Sequence, residues 1–200
     1  VTISFTILGL VAGSLPLSLW AGRLLQGIDV RDYGDGNPGA TNAWRAGGWQ
    51  LGVPALLLDY LKGVIPVALA YFVAGVGGWS LVPVALAPVL GSAFSPFLRF
   101  RGGKSVAVTF GIWTGLTLGQ GPIVLGLLLG LLTAVQAGDA WTVVLALSGL
   151  LAHLMLMRCG PVLPAICLGN IAVLVWTHSQ GLAEPIRLRR WLSGLIGRVG

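Results

Sequence analysis

The chain has 200 residues, of which 56% are hydrophobic and 9% charged, and a mean hydropathy of +0.89. Soluble domains carry roughly one quarter charged residues, so these totals exclude an ordinary soluble enzyme and indicate an integral membrane protein. The formal net charge of +6 does not point to nucleic acid, because the basic residues lie in short clusters beside apolar runs, the pattern of cytoplasmic anchoring.

The first apolar run, residues 3 to 25, lacks a basic segment before it and reads as a span, not a cleaved signal. Gly13-Ser14-Leu15-Pro16 interrupts it, and the proline removes a backbone donor, so a kink is expected there. Residues 26 to 52 form the longest polar excursion, holding Asp29, Arg31, Asp32, Asp35 and Arg45 around Gly34-Asp35-Gly36-Asn37-Pro38-Gly39-Ala40-Thr41-Asn42. Glycines there let main-chain N–H groups approach a ligand, and Thr41 and Asn42 add side-chain donors, a combination suited to phosphate. From Pro38 to Arg45 a short interfacial helix is expected, its N-terminal amides facing the loop.

A second span is expected over 53 to 75, with Asp59 and Lys62 in its first turns on one helical face. These are either an ion pair satisfying itself near the interface or a wall of the polar site. The third span, 81 to 98, is interrupted by Gly91-Ser92 and Pro96 and ends in Arg99-Phe100-Arg101-Gly102-Gly103-Lys104-Ser105, a second anion-binding candidate. The apolar run to 137 is divided at Gly119-Gln120-Gly121-Pro122 into a hairpin of two short spans. A turn at Gly138-Asp139, a span over 140 to 157, a break at Arg158-Cys159-Gly160-Pro161 and a last span to 177 complete the count. The tail carries Arg187, Arg189, Arg190 and Arg198 with Trp191, an amphipathic pattern expected to rest on anionic headgroups.

The expectation is therefore an all-α polytopic bundle forming one membrane domain over 1–200, with about seven spans and a short interfacial helix. Alternate counting puts eleven of the twelve Lys and Arg, and all six carboxylates, on one face. By the positive-inside tendency that face is cytoplasmic and the N-terminus is outside.

Known catalytic signatures are missing. Gly103-Lys104-Ser105 is not a nucleotide-binding P-loop, since Leu98 stands where its first glycine belongs. Neither a Gly-x-Ser-x-Gly elbow nor a zinc-binding His-Glu-x-x-His occurs. A His-x4-Asp pair is absent too, because Arg158 follows His153 and Ala183 follows His178 at that spacing. Cys159 and Cys167 have no metal-site spacing and read as inert core thiols, and no metal or cofactor is expected. His153, inside a span, reads as a packing residue, whereas His178 ends the last span on the face of Asn42, Arg45 and Lys104, where it can donate to phosphate or relay a proton.

Taken together, the blocks resemble the bacterial acyl-phosphate:glycerol-3-phosphate acyltransferases, small membrane enzymes of phospholipid synthesis. The resemblance covers nearly the whole chain. It rests on Gly13-Ser14-Leu15-Pro16, on Asp29-Val30-Arg31 leading into Gly34 to Asn42 with Arg45, on Leu58-Asp59-Tyr60-Leu61-Lys62-Gly63, and on Phe97 through Lys104. It implies a seven-span inner-membrane protein that transfers a fatty acyl group from acyl phosphate to the 1-hydroxyl of glycerol 3-phosphate, giving lysophosphatidic acid and phosphate at the cytoplasmic face. It also implies that Lys104, Arg45, His178 and Asn42 do the chemistry. Gly36, Asn37, Gly39, Thr41, Arg101, Gly102, Gly103 and Ser105 would bind phosphate, and Asp35, Asp59, Lys62 and Ser92 would modulate. Substrates and membrane lipids are the expected partners.

The chain departs from that family's usual pattern at three places. Asp35 replaces a serine, Ser92 replaces a histidine, and Gly181 and Glu184 stand where asparagine and arginine are usual after the histidine. A protein of the same fold that binds a phosphorylated lipid or metabolite without turnover is the alternative these departures favour. A transporter is disfavoured, because the polar residues gather at one face instead of crossing the midplane.

Overall fold

The protein is described by a computed structural model covering residues 1–189 and 191; Arg190 and Arg198 of the basic tail lie outside the described residues. Every regular element among these residues is helical. The helices are α1 (Thr2–Ser14), α2 (Leu17–Gln26), α3 (Ala40–Ala68), α4 (Leu81–Ala93), α5 (Val106–Thr117), α6 (Gln120–Val135), α7 (Asp139–Leu156), α8 (Val162–Thr177) and α9 (Ser179–Leu182). They form two compact units, Val1–Pro122 and Ile123–Gly200.

The distribution of side chains is that of a protein solvated by lipid. On α3, Val53, Leu56, Leu57 and Ile65 are exposed, while Asp59 and Lys62 of the same helix are buried. The run 40–73, the run 78–98 and α7 are each long and apolar enough to cross a bilayer. A fourth span forms if α1 and α2, bent by 40°, are taken together. Helices α5, α6 and α8 are apolar but shorter. Exposed Trp44 and Trp49 near the start of α3, and Tyr71 and Phe72 just past its far end, have the placement expected of aromatic anchors at two interfaces. From Trp49 to Tyr71 a helix rises roughly 33 Å, close to the hydrocarbon thickness.

The bend between α1 and α2 falls at Leu15-Pro16, as the sequence indicates. Helix α3 begins earlier than the expected span and includes the expected interfacial segment. The separation is kept by a kink at Gly47 and Gly48, where Gly48 has φ +63° and ψ −158°, a conformation confined to glycine. The long limb thus starts at the kink, and Asp59 and Lys62 lie roughly 16 and 21 Å along it, deeper than the first turns assigned from sequence. Past Ala68 the helix widens, Ala74 N donating to Leu69 O at 2.9 Å, a π-type turn.

In the first unit, α1 packs on α4, and α3 on α5. The α3–α5 crossing is close because Gly63 and Gly111 face each other; a Cβ on Gly111 would meet the Tyr60 carbonyl, and one on Gly63 the Val108 carbonyl. Tyr60 Oη donates to Thr114 Oγ1 across this crossing at 3.0 Å. Beneath the polar excursion sits a small core of Leu19, Ala21, Val30, Ala43, Leu51 and Ala55. Val30 and Ala43, both fully buried, hold the two ends of the glycine-rich stretch.

In the second unit, α7 packs on α8 and α9. After α9, residues 187–189 run antiparallel to residues 135–137 through an isolated bridge. Ala137 N donates to Arg187 O and Arg189 N to Val135 O, both at 2.8 Å, and the exposed Trp191 indole donates to Ala134 O. Cys167 is buried and both cysteines are free thiols.

Candidate active site

The glycine-rich stretch is anchored at its entry by Asp29. This carboxylate accepts from Arg31 through Nε and Nη2 at 2.9 and 2.7 Å, and from Arg23 Nη2 at 2.8 Å. The forked hydrogen bonds from Arg31, with Arg23 assisting, hold Asp29 well below the usual carboxylate range. Arg23 and Arg31 are thereby committed to loop structure.

Beyond this anchor the chain turns through Gly34 and Gly36, with φ +64° and +75°. A Cβ on Gly34 would overlap Asn42 Oδ1 and the Arg45 guanidinium, so glycine is what lets those side chains close over the turn. Asn42 is buried, and Arg45 Nη1 donates to its Oδ1 at 3.3 Å.

Asp35 is the centre of the arrangement. Its Oδ1 accepts from Asn42 Nδ2 at 2.8 Å and from the Asn37 amide at 3.2 Å. Its Oδ2 accepts from Asn37 Nδ2 at 3.3 Å and pairs with Lys104 Nζ at 2.7 Å. Partial burial pushes this carboxyl up, but the bonds from Lys104, Asn42 and Asn37 together outweigh burial and hold it well below the usual range. Two loops distant in sequence thus direct their donors at one planar oxyanion. A phosphate, likewise a compact oxyanion, asks for the same donors.

Lys104 is brought to this point by the second loop, which is stitched to the end of α4. Gly102 N donates to Ala93 O at 3.1 Å and Gly103 N to Ser92 O at 3.0 Å, satisfying carbonyls that the helix end leaves open. A Cβ on Gly102 would strike both carbonyls. Arg99, Phe100 and Ser105 all have positive φ, between 54° and 61°, a concentration of backbone strain in the segment carrying Lys104. Ser92 contributes its main chain to the loop. The Ser105 hydroxyl donates toward Val89 O and Gly103 O, both at 3.4 Å, so it serves the loop's own structure.

The remaining sequence-derived residues fall into three groups. Gly39 and Thr41 flank the donor cluster at the start of α3, Thr41 exposed in its first turn. Arg101 is exposed on the Lys104 loop and makes no ion pair among the described residues. Asp59 and Lys62 form a buried pair at 2.8 Å, and Lys62 Nζ also donates to Leu15 O at 2.9 Å. Sequence reading missed Ser18, which is buried on α2 and donates to Pro38 O at 3.1 Å; a lone serine in an apolar run carries no signal of such a role.

His178 belongs to the second unit and is buried. Its Nδ1 lies 2.9 Å from Leu174 O and 3.1 Å from Thr177 Oγ1. A carbonyl can only accept, so Nδ1 carries the proton and Nε2 is the basic nitrogen of the neutral ring.

Comparison with known proteins gives these features a family. The family model described as glycerol-3-phosphate acyltransferase matches residues 3–187. The glycerol-3-phosphate acyltransferase 1 of Thermotoga maritima is 38% identical over 187 residues, spanning 86% of this chain and 88% of that protein. The glycerol-3-phosphate acyltransferase of Rubrobacter xylanophilus is 37% identical over 199 residues, spanning 97% and 96%. A Leptospira borgpetersenii relative reaches 44% over 117 residues, but there the match spans only 52% of the relative. The fold is similar to the crystal structure of PlsY, an integral membrane glycerol 3-phosphate acyltransferase, in its glycerol 3-phosphate form. That likeness has a TM-score of 0.82 at 27% identity and covers 96% of this chain and 92% of PlsY; the lysophosphatidic acid form gives 0.81. On the family match and the near-full-length relatives, this all-helical membrane protein belongs to the glycerol-3-phosphate acyltransferase family.

Proposed function

We propose that the protein transfers a fatty acyl group from acyl phosphate to the 1-hydroxyl of glycerol 3-phosphate, yielding lysophosphatidic acid and inorganic phosphate. The observation that carries this reading is the convergence of Lys104, Asn42 and Asn37 on one oxyanion, that of Asp35, in a chain of this family. Acyl phosphate is a mixed anhydride already activated for attack. The protein has to hold phosphate groups, align the hydroxyl with the carbonyl and stabilise the developing charge. The hydroxyl oxygen bonds to the acyl carbon, the bond from that carbon to the bridging phosphate oxygen breaks, and the hydroxyl proton ends on the released phosphate. No covalent acyl-enzyme is required by this balance.

In this reading Lys104 and Arg45 are the phosphate cations and Asn42, Asn37, Thr41 and Arg101 supply further donors, while Gly36, Gly39, Gly102 and Gly103, whose amides are bonded within the loops, let the backbone pass close to the phosphate. Ser105 and Ser92 shape the second loop, and the basic nitrogen of His178 takes part in proton transfer. In the same reading the chain crosses a bacterial inner membrane seven times, N-terminus outside and C-terminus cytoplasmic, with the polar loops at the cytoplasmic face, an orientation supported by the gathering of basic residues on that face.

Asp35 favours a second reading as well. A carboxylate that already takes these donors competes with substrate phosphate, which suits a protein that binds without turnover. Incubating purified protein with glycerol 3-phosphate and either acyl phosphate or an acyl thioester separates the readings. Lysophosphatidic acid from acyl phosphate alone is expected; product from the thioester alone, or from neither donor, contradicts the proposal.

A further inference from the structure

The buried polar residues below the loops are linked in a way that neither the family assignment nor the proposed chemistry uses. Ser18, Asp59 and Lys62 are each at least nine-tenths buried. Lys62 joins Asp59 to the Leu15 carbonyl, at the break between α1 and α2. The Asp59 carboxylate lies beside the Ser18 side chain. Ser18 in turn donates to the Pro38 carbonyl at 3.1 Å. That same carbonyl lies against Gly103, where a Cβ would come within 3.3 Å of it. Pro38 is thus the point at which the glycine-rich stretch touches the residue preceding Lys104.

We propose that Ser18, supported by Asp59 and Lys62, is a positioning residue that sets the glycine-rich loop against the Lys104 loop. Two geometric facts carry this. Proline has no backbone N–H, so its carbonyl is the main-chain group by which Pro38 can be held, and Ser18 holds it. A hydroxyl has one hydrogen to give, and with Asp59 and Pro38 O both beside Ser18, the pairing of Asp59 with Lys62 draws one competitor away and leaves that hydrogen for the loop. Lys62 also satisfies a carbonyl released at the proline break, so the helix bend and the loop position are fixed by one connected set. A displacement of about 1 Å at such a contact is enough to weaken a site built on aligned donors.

The inference rests on the reading of the two loops as a phosphate site, and its test keeps the two apart. Three variants are compared in detergent-purified full-length protein: S18A, the near-isosteric S18C, and S14A. The last is a control, since the hydroxyl of the buried Ser14 bonds, among the described residues, within its own helix, to Leu10 O. S18A is expected to raise the KM for glycerol 3-phosphate and the inhibition constant of inorganic phosphate about tenfold, with kcat within about twofold. S18C should shift both in the same direction by a smaller factor, and S14A should match the native protein. Hydrogen exchange at amides 36–42, which needs no turnover, should quicken in S18A and S18C only. Native KM, phosphate inhibition and exchange in S18C overturn the inference even if S18A does not fold, and equal losses in S18A and S14A do the same. If K104A leaves phosphate inhibition unchanged, the phosphate reading itself fails; if K104A abolishes it while the Ser18 variants behave as native, only the positioning role fails.

Discussion

Asp35 and Lys104 are joined by a 2.7 Å ion pair that ties the loop before α3 to the loop before α5. The pair is about two-fifths exposed on each side, so it contributes only about 0–1 kcal/mol to stability. Its importance is to the site: the lysine is held where an oxyanion sits, and the oxyanion now there belongs to the protein.

Replacing Lys104 by Ala should therefore leave the fold intact and lower kcat/KM by about 10²–10³-fold. Thermal unfolding in detergent and initial rates of phosphate release check the two halves separately. Near-native turnover would remove Lys104 from the mechanism.

Changing Asp35 to Asn keeps the shape of the loop and removes its negative charge. Substrate phosphate then meets no competing carboxylate, and inhibition by inorganic phosphate should tighten by about tenfold, the equivalent of roughly 1.4 kcal/mol. Steady-state inhibition constants measure this, and weaker inhibition would show that Asp35 assists phosphate binding.

The pH dependence follows from the direction of the shifts. Asp35 and Asp29 both have depressed folded values relative to the ordinary 3.8. The stability they contribute is complete above 3.8 and is lost only as pH falls below it toward their folded values. Hydrogen exchange in residues 29–42, corrected for intrinsic rates, should be flat from pH 8 to about pH 5. A step of protection near neutral pH would contradict the assigned pairing.

Glycines of the loop should respond unequally. Gly34 combines φ +64° with close Asn42 and Arg45 atoms, whereas Gly39 is extended at φ −148° with open space around it. G34A should cost about 1–3 kcal/mol and lower activity about 10²-fold, while G39A should leave stability nearly native. Equal effects on unfolding would show that Gly34 is not held as described.

The basic nitrogen of His178 is fixed by the Leu174 carbonyl. H178A should lower kcat by about 10²–10⁴-fold with KM for glycerol 3-phosphate little changed. A selective rise in KM would instead assign His178 to binding.

Much of this was legible in the residues. Composition and the spacing of Gly13 to Pro16, Gly119 to Pro122 and Gly138-Asp139 marked the helices and their breaks, because glycine and proline act locally on the backbone. The two donor loops were legible because polar residues stand out in an apolar chain. Pairings were not: nothing in sequence spacing joins Asp35 to Lys104 or Ser18 to Pro38, since both depend on how α2, α3 and the loop after α4 pack. The depth of Asp59 and Lys62 was misjudged because α3 begins before the Gly47–Gly48 kink, and a kink at paired glycines does not announce where the helix resumes. Nor does the tail's basic pattern reveal that residues 187–189 pair with 135–137.

The most direct test of the central claim is the stoichiometry of a reaction run with acyl phosphate and glycerol 3-phosphate, following lysophosphatidic acid and inorganic phosphate together in native protein and in K104A. The account requires equal amounts of both products from the native protein and almost none from the variant. Phosphate released without lysophosphatidic acid, or binding of both substrates with no product at all, would contradict it.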